Sequence, residues 1–192
     1  MARRAPETIA WRDDLIAERD PRRPSAWLLR QRDMDASYVD LADPSHLEFD
    51  YLRWIRMVLW AGRAHIARQA TGAWDAVVID AFIGAAVPRR LITVEALADV
   101  ARVAPLVLIN VVDNRAARDV RTVAAAAAEA YPRVWTLGGR AGNTVVVGAL
   151  AALDLGKIAA AIAADTSPAR LTPPEATGRL IAGTAPLHDA AL

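Results

Sequence analysis

The sequence predicts an α/β protein: a sheet with parallel strands under helices and a closing antiparallel hairpin, preceded by a small region of short β-strands. Three observations carry this. The β-branched runs at 74–80 and 106–109 are continuous, as in strands buried on both faces. Helix-period segments at 93–103 and 115–131 alternate with them, the order that places helices over parallel strands. Residues 7–43 hold only short apolar runs between turn residues, the pattern of a small antiparallel sheet.

Taken in order, Leu15-Ile16-Ala17 ends at the turn Asp20-Pro21-Arg22-Arg23-Pro24. Ala26 to Leu29 and Ser37 to Val39 then flank Asp33-Met34-Asp35 as a hairpin, giving two or three strands. Ser45 with Glu48 three residues on has the spacing of a capping box. Leu47, Tyr51, Trp54, Ile55, Val58 and Leu59 follow at helical spacing, so a helix is expected to about Trp60, with Trp54 and Trp60 facing the core. The buried strand 74–79 ends in Asp80. Thr93 opens a helix with Glu95 in its first turn, and Leu106 to Ile109 is the next buried strand. Asp113 is placed to cap the helix after it. Strands at 134–137 and 144–147 form a closing hairpin around Gly138 to Asn143, and a last helix spans 153–164. The organisation expected is therefore a β-strand region over 1–44, an α/β region over 45–165, and a proline-bearing tail over 166–192.

Composition removes several function classes. A chain that is 54% hydrophobic and 23% charged is not intrinsically disordered. A formal net charge of +1 gives no bulk attraction to nucleic acid or anionic membrane, so neither partner is expected. The absence of cysteine excludes disulfides, thiolate nucleophiles and cysteine zinc sites. The longest apolar stretches, 144–153 and 158–164, fall short of the ~20 residues that span a bilayer. Two arginines near Met1 lack an apolar segment behind them, so a cytoplasmic protein is expected.

Few residues carry chemistry. Asp80 stands at the carboxyl end of a strand, where open α/β sheets bind ligands, and a carboxylate there can orient or deprotonate a substrate. A loop-organising or capping role is the alternative. Asn110 and Asp113-Asn114 follow the next strand on the same edge of the sheet. The glycines of 138–143 join strand to strand, which suits a hairpin turn better than a phosphate cradle, since a cradle opens a helix. His46, His65 and His188 have no partners at metal-ligand spacing, and no G-x-S-x-G occurs. Trp11, Trp27 and Trp135 read as packing residues.

Several phrases together resemble the spermidine synthase-like (polyamine aminopropyltransferase) family. They are Asp40 to Tyr51, Trp74 to Phe82, Gly139 to Asn143, and Gly178 to Leu187. The resemblance implies a Rossmann-like sheet of the class I S-adenosylmethionine-dependent methyltransferase type, preceded by an N-terminal strand domain. It implies aminopropyl transfer from decarboxylated S-adenosylmethionine to putrescine, with Asp80 as the catalytic base. Tyr51 and Phe82 are the substrate-binding residues the resemblance implies.

The departures from the family pattern are specific. The strand with a glycine-rich G-G-G-x-G loop, and the next strand ending in a ribose-holding acid, would follow the 45–60 helix. Here Trp60-Ala61-Gly62 leads directly into 63–74. About 60–80 residues, two βα units, are therefore expected to be missing, giving a shortened Rossmann-like sheet. Arg63 stands where an adenine-contacting aspartate is expected. Leu52 and Arg53 replace a His-Glu pair, Ala36 replaces a glutamine, and Ile83 replaces a second aspartate. Binding of either form of S-adenosylmethionine is expected to be lost with these parts, leaving a degenerate enzyme. In the family's sheet order the strand 74–79 would then be an exposed edge, open to homodimerisation. The other readings are a non-catalytic dimerising or scaffold module and a methyltransferase-like protein.

Overall fold

The computed structural model describes residues 8–12, 15–32, 34–66, 74–82, 86–113, 118–138, 142–166 and 169–191; at 9–12, 61–66, 113 and 118 only the backbone is described. The chain divides into two compact units, Met1–Arg53 and Trp54–Leu192.

In the first unit, β1 (Thr8–Arg12), β2 (Leu15–Arg19), β3 (Ala26–Gln31) and β4 (Met34–Asp40) form an antiparallel meander in chain order. The expected hairpin is β3–β4, with Trp27 opposite Val39, and one more strand forms than the sequence reading counted. β2 and β3 are mostly half-buried and β4 is mostly exposed, and polar contacts fix the corners. The Asp20 carboxylate accepts the Arg22 amide at 2.7 Å and the Tyr38 hydroxyl at 2.7 Å, tying the β2–β3 turn to β4. Asp40, 3% exposed, accepts the Ser25 hydroxyl at 2.7 Å and the Ala42 amide at 3.0 Å, and pairs with Arg23.

The capping box is not formed. Ser45 instead donates its amide and hydroxyl to Asp43 at 3.2 and 2.6 Å, closing an Asx turn, and the helix α1 (Asp50–Ile66) starts five residues later. The Asx turn competes for the same serine and wins because Asp43 lies two residues away. At the start of α1, Arg53 donates to the carbonyls of Leu47 and Glu48 at 3.0 and 2.8 Å.

The second unit carries the rest of α1, then β5 (Val77–Ile79), α2 (Val94–Val103), β6 (Leu106–Asp113), α3 (Arg118–Ala130), β7 (Arg133–Gly138), β8 (Gly142–Ala149), α4 (Leu155–Ala163), β9 (Arg170–Thr172) and α5 (Pro174–Ile181). Its sheet has the order β5-β6-β8-β7-β9. β5 and β6 are parallel, with Ile79 opposite Ile109, and the other pairs are antiparallel. The closing hairpin is present, and it folds back so that β8 lies between β6 and β7.

Strand alternation divides the burial of this sheet. Val107, Ile109, Val111 and Val146 point to one face, where they join Leu97 of α2, the alanine run and Val123 of α3, and Leu187 in a single apolar cluster. Leu106, Leu108, Val145 and Val147 point to the other face and are equally buried. Trp54, Ile55 and Val58 of α1 and Ile158 and Ile162 of α4 supply further buried apolar surface in this unit. Each buried Leu, Ile or Val contributes about 1.5–3 kcal/mol over its exposed state. Gly148 is required by contact: a Cβ there would lie 2.9 Å from the Tyr131 ring and from Val107 Cγ1. Burial raises the Tyr131 phenol above its ordinary value, and its hydroxyl donates to the Ala104 carbonyl at 3.3 Å. Thr93 caps α2 by accepting the Ala96 amide at 3.2 Å, and Asp154 caps α4 through the Lys157 amide at 2.9 Å.

Two expectations fail here. Trp60 is 75% exposed, not in the core. At 100° per residue it lies some 200° round the helix from Val58, on the opposite face. The strand at 74–80 is only three residues long, and Val78 within it is 42% exposed, so it is not buried on both faces. The tail is built into the fold: β9 pairs with β7, Pro174 occupies the first turn of α5, and Leu187 is buried.

Candidate functional site

The parallel register of β5 and β6 builds the site. Ile79 pairs with Ile109, so the next residue of each strand, Asp80 and Asn110, emerge side by side at the carboxyl edge. Asn110 Nδ2 donates to Asp80 Oδ1 at 3.0 Å. Asn110 is 1% exposed and therefore fixed, whereas Asp80 is exposed to solvent. A rigid amide thus orients a solvent-exposed carboxylate, a geometry suited to accepting a proton or binding a cation. Asn110 Oδ1 is buried without a hydrogen-bond partner. The sequence reading placed Asn110 on the right edge but did not pair it with Asp80; the equal offset of both residues from their strand ends was the signal available.

The other expected site residues fall as follows. Phe82, two residues after Asp80, is half-buried against the apolar cluster of the second unit. Tyr51 belongs to the first unit, where it is buried and stacked on Phe49 with ring centroids 5.8 Å apart and planes at 11°. Leu52 is half-buried, Arg53 holds the α1 start, and Ala36 is exposed on β4. Ile83, Asn114 and residues 139–141 lie outside the described residues, as do the side chains of Trp11, Arg63, His65 and Asp113. The capping expectation for Asp113 therefore lies there too.

The tryptophans differ in use. Trp135 is fully buried in β7, and Trp27 carries the Arg19 guanidinium 4.4 Å above its ring. His46 meets Glu48 at 3.0 Å and His188 meets Glu95 at 2.9 Å. Among the described residues no group of three His, Asp or Glu side chains could hold a metal ion, and no helix is long and apolar enough to cross a membrane.

Among the described residues β5 pairs with β6 alone, and no strand of the sheet turns through glycines into a helix. The glycines with positive φ are Gly142, at +100° where β8 leaves the β7–β8 turn, and Gly183, at +75° after α5. Gly62 lies within α1.

No protein-family model matches the chain, and no curated protein does. A solved structure does, that of a probable spermidine synthase from Corynebacterium glutamicum ATCC 13032. The likeness has a TM-score of 0.79 at 18% identity, over 98% of this chain and 97% of that one. The fold is spermidine synthase-like. Within it, the small antiparallel sheet of the first unit and the mixed sheet with helices of the second are the two parts expected of a Rossmann-like, methyltransferase-type protein.

Proposed function

We propose that this is a shortened spermidine synthase-like protein that keeps the amine-activating carboxylate and has lost the means to hold the nucleoside donor. The observation that carries this reading is the pair Asp80–Asn110, a solvent-facing carboxylate fixed by a buried amide at 3.0 Å on the carboxyl edge of the sheet. An alkylamine has a pKa of about 10 and is protonated at pH 7, so it attacks only after losing a proton. Asp80 is the group that binds the ammonium and takes that proton, and Tyr51 and Phe82 are the proposed substrate-binding residues. The donor of the proposed ancestral reaction is decarboxylated S-adenosylmethionine and the acceptor putrescine. Without a glycine turn and a ribose carboxylate, donor orientation is removed as a whole rather than weakened.

The test is calorimetric titration of the full chain with S-adenosylmethionine and with its decarboxylated form, beside an aminopropyl-transfer assay with putrescine. No heat and no product are expected. Micromolar binding of the decarboxylated form, with transfer abolished by Asp80→Asn, would make the protein an active aminopropyltransferase and end this reading. Methyl transfer after binding of S-adenosylmethionine would end it in favour of a methyltransferase.

A second reading is supported by the exposed Val78 in β5, together with Trp74 at 64% exposure just before it. A short apolar edge strand pairs readily with a copy of itself. On this reading the chain is a dimerising module, and sedimentation velocity shows a concentration-dependent dimer that Val78→Lys abolishes. A monomer throughout the concentration range rejects it.

A further inference from the structure

At the same carboxyl edge of the sheet, the second unit holds a separate cavity of about 300 Å³ by the end of β6, between the start of α2 and the start of α3. Its walls are apolar and firm: Ile92, Val111, Val123 and Leu187 line it, and all four are buried. Arg89, from the 3-10 turn ahead of α2, and Asp119, from the first turn of α3, line it too. Both are exposed, and neither side chain has an ion pair or hydrogen bond to a described residue. Two opposite charges therefore face one small space without neutralising each other. They offer one charge of each sign to a ligand that carries both.

The wall supplied by Leu187 is held in place. The Val94 amide donates to the Leu187 carbonyl at 2.8 Å, His188 Nδ1 lies 2.9 Å from Glu95 Oε1, and the Asp189 amide donates to Glu95 Oε2 at 3.0 Å. A wall already ordered adds little entropic cost to binding.

We propose that this cavity binds a small zwitterion with a compact aliphatic side chain, of the class of the branched-chain α-amino acids. The Arg89 guanidinium presents a fork of N–H donors that matches a carboxylate. The Asp119 carboxylate takes the ammonium, and the Ile92, Val111 and Val123 side chains take the aliphatic branch. The size limits the ligand to a compact one, because ligand pockets run from about 300 to 1,000 Å³. Asp80 does not line this cavity, so the site stands or falls independently of the function proposed above.

The experiment is calorimetric titration of the full chain with L-valine, L-leucine and L-isoleucine. Isovalerate, isobutylamine and glycine serve as probes that lack the ammonium, the carboxylate and the branch. At least one of the three amino acids is expected to bind with a Kd below about 1 mM, and each incomplete probe about tenfold more weakly or worse. Arg89→Gln and Asp119→Asn change exposed side chains, which folding tolerates. Each is expected to weaken the amino acid about tenfold with an unchanged thermal melt. The proposal is overturned if none of the three amino acids gives heat, if isovalerate or isobutylamine binds as well as they do, or if both variants bind like the parent chain.

Discussion

The four-stranded sheet of the first unit and the five-stranded sheet of the second are held by different forces. β6 is buried on both faces, and β8 beside it and β7 beyond are largely so, with helices contributing the apolar cover. In the meander, β2 and β3 are mostly half-buried and β4 is mostly exposed, and its fixed points are carboxylates at the corners: Asp20 on Arg22 and Tyr38, Asp40 on Ser25, Ala42 and Arg23, Asp43 on Ser45. Hydrogen bonds to these three groups hold their carboxyls below the ordinary range, Asp40 at about 2. A sheet closed by apolar layers responds to changes of volume, whereas one closed by carboxylate corners responds to protons.

The largest expected effect tests the first half of that contrast. Leu108→Ala removes a fully buried side chain from the middle of β6 and should cost about 2–5 kcal/mol, read as a lower urea midpoint at unchanged slope. A loss below about 1 kcal/mol would mean that the sheet does not depend on packing as described. Gly148→Ala is the converse change, adding one methyl where the Tyr131 ring and Val107 leave no room. It should cost about 1–3 kcal/mol, and Tyr131→Leu in the same chain should restore part of the loss if the ring is what it meets.

The smallest expected effect is a local one in the first unit. A carboxyl with a depressed folded-state pKa contributes stability above its unfolded value and loses it as pH falls through the folded one. For Asp40 that window runs from the model-peptide value of 3.8 down to about 2. Hydrogen exchange at the Ala42 and Asp43 amides should therefore accelerate across this range, relative to its intrinsic rate, while amides of β6 keep their protection. Simultaneous loss in both sheets would remove the distinction drawn between them.

The same contrast explains what the sequence made legible. Wherever a run is apolar enough to be buried on both sides, as at 106–109 and 144–147, pattern alone located the strand and its class. The cap at Thr93 and the antiparallel pairing of β7 with β8 were equally readable, because each depends on residues within a few positions. Reading failed where partners compete or where spacing was not followed round the helix. Ser45 had a capping geometry open to it and took the Asx turn instead, and Trp60 was assigned to the core although its angle from Val58 sets it outside. At the site, Asp80 was a candidate from its place after a strand, and Asn110 was placed on the same edge of the sheet. Their pairing was not read, because thirty residues separate them and only the register of two parallel strands brings them together. β9 and α5 were hidden for a similar reason: 170–172 is a three-residue strand whose pairing with β7 no local pattern announces.

The clasp between Glu95 and the segment at 187–189 has a consequence in time. The amino end of α2 and the residues that satisfy it are 93 positions apart in the chain. At a synthesis rate of about 5–20 residues per second, α2 and the apolar cluster beneath it wait on the order of 5–20 s for Leu187 to arrive. Until then the cavity wall is missing and Ile92, Leu97 and Val111 lie under an incomplete roof. The emerging chain therefore keeps this part of its core open until the segment at 187–189 has been made.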